Sequence, residues 1–420
     1  MKIKSINAYE IIASGGYPSI ECRVELADGS VGIASVPYGA SAGSHEATVL
    51  LDGDKSRFNG KGMLKAVQNI NEIIAPKLVG LEADNQKNID QIMIDLDGTE
   101  NKSNLGGNSI LAVSLAVARA QSASKKVDLF EHIIETFEIK NDLKELPSPM
   151  VVVIEGGKHA HNSTDLQEFC MSAVSNHSKF DQLRSILESY HALKKVLEEN
   201  KLSTNVGNEG AFAPEGIDSN EAPFSFMMEA IGRAGYVPGK DISFSIDAAA
   251  SEFYKSGKYI LNLEEKTLNS NELIKVYSGW LDKYPIVSLE DGLNEDDWDN
   301  WVELNKICKE RGVLNIGDDL TVTNQQRLQK AIDINAINSI LIKLNQIGSL
   351  TETVETCLLA KKHGFATIPS HRGGGETNDT SMIDLAVAVG SKFIKVGPTR
   401  GERVAKYNRL FEIERKLGLN

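Results

Sequence analysis

The chain has 420 residues, of which 41% are hydrophobic and 25% are charged, and its formal net charge is -13. This length exceeds what one hydrophobic core usually serves, so we expect a globular protein of two domains. The negative charge and the lack of clustered Lys and Arg exclude a nucleic-acid surface, because such clusters are what bind phosphate backbones.

The cysteines and the apolar runs indicate the compartment. The four cysteines lie far apart, with neither CxxC nor His-rich spacing: Cys22, Cys170, Cys308 and Cys357. This spacing disfavours a zinc site and a disulfide framework, and it fits a reducing compartment. No apolar run approaches the roughly 18 residues that a membrane span needs, and the N-terminus lacks the apolar core of a signal peptide. We therefore expect a cytoplasmic protein with no membrane partner.

The first part of the chain predicts an antiparallel sheet followed by helices. Alternating apolar residues and a central turn predict a β-hairpin over 19–34. Apolar residues recur at helical spacing in three stretches: 61–79, around 86–96, and 108–122. The polar stretch 141–149 contains two prolines and is the best candidate for a boundary. We therefore expect an α+β cap domain over 1–138 and a second domain over 139–420.

In the second domain, short β-branched runs alternate with helical segments, which is typical of βα repeats in a parallel sheet or barrel. Six of these runs are followed by ionic groups at or just beyond their C-terminal ends: Asp247, Glu290, Asp318, Lys343, His371 with Arg372, and Lys395. In a (β/α)₈ barrel these strand ends converge on the face that carries the active site. The predicted fold class is therefore α/β, with an α+β cap followed by a (β/α)₈ barrel.

Three of these groups are carboxylates that suit a hard cation: Asp247, Glu290 and Asp318. Mg²⁺ prefers a few carboxylates plus water and substrate oxygens, whereas Zn²⁺ favours His or Cys. The alternative is that each acid caps a following helix. Three independent caps at such strand ends are less expected than one shared cation site.

Lys343 follows the apolar strand 339–342, where an unpaired ammonium group would be costly to bury. It is therefore either paired in a structural ion pair or functional. Lys395 brings a second cation near, and both desolvation and like charge lower the pKa of a lysine toward that of a working base. A lysine base beside divalent ions indicates abstraction of a proton from carbon, next to a carboxylate.

Several long strings resemble the enolase family, and the likeness runs nearly end to end. The strings are SILIKLNQIGSL at 339–350, SLEDG at 288–292, GDDLTVTN at 317–324, ASEF at 250–253, VAKYN at 404–408, YGAS at 38–41, DGDKSRF at 52–58 and MIDLDGTENK at 93–102. The resemblance implies an enolase-type (β/α)₈ barrel and a glycolytic hydro-lyase that dehydrates 2-phosphoglycerate to phosphoenolpyruvate. It also implies two Mg²⁺ ions per active site and a homodimer or higher homo-oligomer.

The same resemblance implies a role for each matching residue. The ligands of the first Mg²⁺ would be Asp247, Glu290 and Asp318. Lys343 would take the proton from C2, and Glu209, supported by Glu168, would help the C3 hydroxyl leave. Ser41 would lie on a loop that closes over the site, contact the substrate and ligate the second Mg²⁺.

Four further residues would surround the substrate. Gln167 would contact it, Lys395 would bind its carboxylate, and Arg372 would hold its phosphate with bidentate geometry. His159 lies on a second loop of the family pattern, although a lone histidine is more often a packing or surface residue. For Gln167 and Glu168, the alternative is that they are ordinary strand residues.

The sequence departs from the family strings close to these residues. The departures are Glu155 in place of Asn, Asn208 in place of Asp, Ala211 in place of Gly, and Gly373 in place of Ser. The lost serine removes a hydroxyl expected at the phosphate, a deficit of about 0.5–1.5 kcal/mol. Gly15 stands where the family has an arginine that helps the dimer contact.

Three functional hypotheses remain open. One is a divergent dehydratase acting on 2-phosphoglycerate, and a second is a paralogue acting on another phosphorylated or phosphonylated acid. The third is a catalytically silent binding or scaffold protein. We favour the first, because the base, the acid, the metal ligands and the phosphate arginine are all retained.

Overall fold

The computed structural model of the protein describes residues 1–39, 43–160 and 162–419. Ser41, which the sequence predicts as a substrate contact and metal ligand, lies outside these ranges. The N-terminal strands are β1 (Ile3–Ile12), β2 (Pro18–Leu26), β3 (Val31–Val36) and β4 (Tyr38–Gly39). The helices that follow are α1 (Leu64–Gln68), α2 (Ala75–Leu78), α3 (Gln86–Asp97), α4 (Gly107–Lys125) and α5 (Leu129–Thr136), with a π-helical segment, Asn69–Ile74, between α1 and α2.

Strands β1, β2 and β3 form an antiparallel sheet in that order, and β2 and β3 are the predicted hairpin. Helix α4 is buried along most of its length and packs against this sheet. At Gly32, on β3, an added Cβ would lie 2.1 Å from the carbonyl oxygen of Ala116. Glycine at this position therefore allows the helix to approach the strand closely.

The second part contains the strands of a barrel and two smaller sheets. The barrel strands are β5 (Ser148–Glu155), β6 (Glu168–Ala173), β7 (Ile242–Asp247), β11 (Ile286–Glu290), β12 (Leu314–Gly317), β13 (Ser339–Ile342), β14 (Ala366–Pro369) and β16 (Phe393–Val396). The short strands are β8 (Tyr254–Lys255), β9 (Lys258–Leu261), β10 (Lys266–Leu268) and β15 (Gly374–Gly375). The helices are α6 (Lys179–Glu199), α7 (Ala222–Arg233), α8 (Ser270–Lys283), α9 (Trp298–Glu310), α10 (Gln325–Asp333), α11 (Leu344–Ile347), α12 (Leu350–Lys362), α13 (Ser381–Ala388) and α14 (Gly401–Leu417).

Within the described ranges the barrel sheet has eight strands in the order β14-β13-β12-β11-β7-β6-β5-β16. The two ends of this sheet meet through a bridge between Ser370 and Lys395, and the N–H of His371 donates to the carbonyl of Lys395 at 3.0 Å. The sheet is therefore a nearly closed barrel. The predicted α/β class, with an N-terminal domain ahead of a barrel, is confirmed.

Strand β6 differs from regular βα repeats, because it runs antiparallel to both of its neighbours, β5 and β7. A parallel strand needs a crossover of a dozen or more residues, usually a helix. The connection between β5 and β6 contains no helix in its described residues, and the chain returns directly. The start of β6 consequently lies at the same end of the barrel as the C-terminal ends of the other strands.

Apolar side chains fill the barrel interior below that end. The residues of this inner cluster are Met150, Val152, Cys170, Ala211, Ile316, Leu341, Ile368 and Phe393. The barrel is therefore a packed core, and its chemistry is confined to one end. In the described ranges, no helix has both the length and the apolar character needed to cross a membrane.

The N-terminal part contacts the barrel at the end where the ionic groups lie. Strand β4 pairs with β15, which lies just beyond Arg372. The N–H of Ser14 donates to the carbonyl of Glu376 at 2.9 Å, and Lys102 pairs with Glu352 at 3.0 Å. These contacts place the segment around residues 43–47 over the barrel mouth.

Candidate active site

The strand ends bring the predicted ionic groups together. Asp247 ends β7, Glu290 ends β11, Asp318 follows β12, and Lys343 follows β13, while Lys395 lies within β16. All are buried except Lys343, whose side chain is 15% exposed to solvent. Their convergence follows from the barrel topology, because parallel strands present their C-terminal ends on one face.

Lys395 lies among three carboxylates. Its Nζ is 2.8 Å from Asp247 Oδ2, 2.7 Å from Glu290 Oε2 and 2.8 Å from Glu168 Oε2. Burial alone would lower the pKa of Lys395, but these carboxylates outweigh it and hold the pKa well above the usual value. Lys395 is therefore a firmly charged ammonium group.

Lys343 forms an ion pair with Asp318, whose other oxygen accepts from the Nε2 of Gln346 at 2.7 Å. Burial lowers the pKa of Lys343, but the attraction of Asp318 is stronger, so the pKa lies above its usual value. This direction is opposite to the one expected from the sequence. The sequence could not predict it, because the pairing depends on how neighbouring strand ends face one another.

The predicted metal ligands are arranged in two groups. Asp247 and Glu290 are directly opposite each other on β7 and β11, and both face Lys395. Burial, together with the charge of Asp247, raises the pKa of Glu290 well above its usual value. Glu290 Oε1 is buried and has no hydrogen-bond partner among the described residues. Asp318 faces Lys343 instead.

Asp291 is a further buried acid at this end of the barrel, and it was not predicted from the sequence. It accepts the backbone N–H groups of Asp318 at 2.9 Å and Asp319 at 2.8 Å. The carboxylates of Asp291, Asp318 and Asp319 all lie within 4.8 Å of one another. Burial, together with the neighbouring Asp319, raises the pKa of Asp291 well above normal. The only sequence signal was its position next to Glu290.

A second cluster surrounds Glu209. His371 Nε2 lies 3.2 Å from Glu209 Oε1, and His159 Nδ1 lies 3.7 Å from that oxygen and 3.3 Å from Glu168 Oε1. Arg403 Nε donates to His371 Nδ1 at 3.1 Å, so the ring proton of a neutral His371 is on Nε2 and points at Glu209. Burial raises the pKa of Glu209, but the two histidines outweigh it and lower the pKa below its usual range.

Arg372 already faces an anion within the protein. Its Nη1 lies 3.2 and 3.1 Å from the two carboxylate oxygens of Glu46, and both side chains are buried. Glu46 also accepts from the N–H of Gly43 at 3.2 Å and from Gln346 Nε2 at 3.3 Å. Glu46 could not be predicted from the sequence, because a lone acid in an irregular segment carries no periodic signal. Its carboxylate occupies the position at Arg372 where a substrate phosphate was expected.

One pocket joins the base, the acid cluster and the arginine. It is lined by Gly39, His159, Gln167, Glu168, Glu209, Lys343, Ser370, His371, Arg372, Gly373 and Lys395. Seven of the predicted site residues therefore share one pocket, and the three predicted metal ligands contact its two lysines. A pocket with a lysine, a carboxyl pair and an arginine suits acid-base chemistry on a small anion.

Comparison with known families agrees with this geometry. A family model described as the enolase N-terminal domain matches residues 3–133. A second, described as the enolase C-terminal TIM barrel domain, matches residues 143–420. Together they cover nearly the whole chain. The chain belongs to the enolase family.

Members of the enolase family typically bind Mg²⁺, and the residues of this chain fit such an ion. The donors at the strand ends are carboxylate oxygens, which hard cations prefer, and Glu290 Oε1 is a buried oxygen without a partner. Asp291, Asp318 and Asp319 form a further acidic group in which the ligand atoms are close together. In this structure the predicted ligands are paired with lysines, Asp247 and Glu290 with Lys395 and Asp318 with Lys343.

The departures of this chain from the family strings gather around Glu209. Glu155 is fully buried, and its carboxylate accepts the backbone N–H of Glu209 at 3.2 Å. A Cβ added at Gly373 would lie 2.7 Å from Glu209 Oε1 and 2.9 Å from His159 Cε1. His159 and Glu209 therefore fill the space that a serine side chain would occupy at position 373. Asn208, in contrast, is exposed to solvent.

Proposed function

We propose that this chain is a phosphopyruvate hydratase, a Mg²⁺-dependent lyase that converts 2-phosphoglycerate to phosphoenolpyruvate in cytoplasmic glycolysis. The observation that carries the proposal is the shared pocket of Lys343, Glu209 and Arg372. A base, an acid and a phosphate-binding group around one cavity are what elimination of water from a phosphorylated acid requires. A hydro-lyase acting on a neutral substrate would not need the arginine.

Each side chain of the pocket has its own role in the proposed reaction. Lys395, held as an ammonium group, pairs with the substrate carboxylate, and Arg372 exchanges Glu46 for the substrate phosphate. Lys343 removes the proton from C2 after it has left Asp318 and become neutral. Glu209 gives a proton to the hydroxyl group leaving C3, and His371 holds its carboxyl in place.

Two Mg²⁺ ions are part of the proposal. Asp247, Glu290 and Asp318 would hold the first ion, and Ser41 would contribute to the second. When bound, such ions stabilise the negative charge that develops on the substrate carboxylate as the C2 proton leaves.

A second candidate is a paralogue that eliminates from another phosphorylated or phosphonylated acid. The observation in its favour is that the departures Glu155 and Gly373 both adjoin Glu209, whereas the lysine side of the pocket keeps the family pattern. Altered surroundings of the acid Glu209 would suit a different leaving group or a different substituent on C3.

We also propose a homodimer or higher homo-oligomer, as in the family. Tyr9, Ile12 and Ile33 leave apolar surface exposed on the N-terminal sheet. The arginine that assists the family contact has no counterpart at Gly15, where an added Cβ would lie 2.1 Å from the carbonyl oxygen of Gly374. Sedimentation equilibrium decides the matter, and a monomer at all concentrations would contradict the proposal.

The test follows the ultraviolet absorbance of phosphoenolpyruvate during incubation with 2-phosphoglycerate, with and without Mg²⁺. We expect Mg²⁺-dependent turnover at about 1 per second or faster. Lys343→Ala should abolish it, whereas Lys392→Ala, an exposed lysine at the opposite end of the barrel, should not. A folded wild-type protein without turnover would refute the proposal. If Mg²⁺ still raised its unfolding temperature, the paralogue would be favoured; without any Mg²⁺ effect, a silent binding protein would be.

A further inference from the structure

Glu155 is a buried carboxyl group without a cationic partner. It ends β5, lies opposite Glu168 on β6, and has no exposed surface. Its oxygens accept the N–H of Glu209 at 3.2 and 3.4 Å, and it forms no ion pair with any described residue. An ionised carboxylate in such a place is costly, because one backbone N–H replaces a full hydration shell.

The charged and titratable groups around Glu155 favour its protonated form. They come from the loop after β5, from β6, from the turn at 207–211 and from two helices: His159, Glu168, Glu209, Tyr190 and Arg403. Burial and the charge of Glu209 raise the pKa of Glu155 to about 9, although Arg403 opposes them. These surroundings therefore favour the protonated form of Glu155 at neutral pH.

The turn that presents Glu209 is built around the Glu155 carboxyl. The N–H of Gly207 donates to the carbonyl of Ala211 at 3.0 Å, which places Glu209 at the tip of the turn. A Cβ added at Gly207 would lie 2.3 Å from the carboxyl carbon of Glu155. The glycine thus leaves the space that the Glu155 side chain fills.

Glu209 itself lacks the proton that an acid needs. His371 Nε2 at 3.2 Å and His159 Nδ1 at 3.7 Å hold the pKa of Glu209 below its usual range, while one carboxyl oxygen of Glu155 and one of Glu209 lie within 4.8 Å of each other. One bridging water or a small side-chain rotation spans this gap. Glu168 is less suited to supply the proton, because its Oε2 is held by Lys395 at 2.8 Å.

We propose that Glu155 supplies Glu209 with the proton that the leaving hydroxyl group takes. Glu209 first receives the proton of Glu155. As the C3–O bond then breaks, its electron pair stays on oxygen, and the leaving oxygen takes that proton from Glu209. Water departs, and the Glu155 carboxylate regains a proton from solvent. Glu155 is a positioning and proton-supplying residue that acts through Glu209. The inference rests on the proposed dehydration for its role, but not for its resting protonation state.

Glu155→Gln is the informative variant, because the amide keeps an oxygen for the Glu209 N–H and loses the acidic proton of the carboxyl group. Glu155→Asn restores the residue of the family strings, and it serves as a second variant should Gln fold poorly. Asp90→Asn is the control, since Asp90 is a fully buried acid in the N-terminal part, hydrogen-bonded to Thr351.

The first measurement is infrared difference spectroscopy at neutral pH. The wild-type spectrum should contain a C=O band of a protonated carboxylic acid that Glu155→Gln lacks. In wild type this band should disappear at alkaline pH. At neutral pH it should still be present in Asp90→Asn. If Glu155→Gln removes only carboxylate bands, Glu155 is ionised and the proposal is overturned, whatever the substrate of the protein.

The second measurement compares two rates on 2-phosphoglycerate in D₂O. Exchange of the C2 hydrogen with solvent needs the base Lys343 but not the acid, whereas phosphoenolpyruvate formation also needs the acid. Glu155→Gln should keep the exchange rate and lose about 100-fold in product formation, and it should lack the alkaline limb of the wild-type pH profile. Equal loss of both rates, or wild-type product formation, would overturn the proposal. Absence of turnover in wild type would instead refute the proposed function. The infrared result would then still decide whether Glu155 is protonated.

Discussion

Replacement of Glu155 by Gln should stabilise the protein, and the gain should grow with pH. The pKa of this carboxyl is about 9 in the folded chain, against 4.5 in an unfolded one. Between these values the folded state binds the extra proton, so wild-type stability falls as pH rises through this window. The slope for one proton is about 1.4 kcal/mol per pH unit. From about pH 6 to about pH 8, the advantage of Glu155→Gln should therefore grow by up to about 3 kcal/mol.

Urea unfolding of both proteins over this pH range measures the effect, as the difference between their midpoints at a common slope. Asp90→Asn provides the matched control. Burial raises the pKa of Asp90 only to about 6, from 3.8, so its advantage should stop growing above about pH 6. A constant difference between wild type and Glu155→Gln from about pH 6 to about pH 8 would show that Glu155 is ionised when folded, and would refute the reasoning.

Three other changes test contacts of the site and the fold. Glu46→Gln should lower the KM for a phosphorylated substrate several-fold, because the phosphate no longer displaces a carboxylate from Arg372; a raised KM would contradict this. Lys395→Ala removes the ammonium group that three buried carboxylates share and should cost about 3–5 kcal/mol in thermal unfolding. Added Mg²⁺ should restore part of that loss. Gly32→Ala should destabilise by about 1–3 kcal/mol, since its Cβ meets the backbone of α4. Gly232→Ala in α7, where an added Cβ meets nothing within 4 Å, should be neutral or stabilising, and equal losses at the two glycines would contradict the packing argument.

Local sequence patterns determined the element types and the residues that end the barrel strands. Hydrophobic alternation predicted the hairpin of β2 and β3, and β-branched runs followed by ionic residues predicted the ends at Asp247, Glu290 and Asp318. These features depend on side-chain period and on neighbouring residues, which are written along the chain. The long family strings added the prediction that Lys343 and Glu209 share a site, and the pocket contains both.

Only the tertiary structure decided which groups face one another. Strand β6 runs antiparallel because its connection to β5 is not the helical crossover that a parallel strand needs, and this brings Glu168 to the barrel mouth. Docking of the N-terminal part places Glu46 on Arg372, 326 residues away in the chain. The pairing of Lys343 with Asp318 and the burial of Glu155 beneath Glu209 arise in the same way. Such contacts, and the pKa shifts that they cause, depend on barrel closure and domain packing, on which hydrophobic periodicity carries no information.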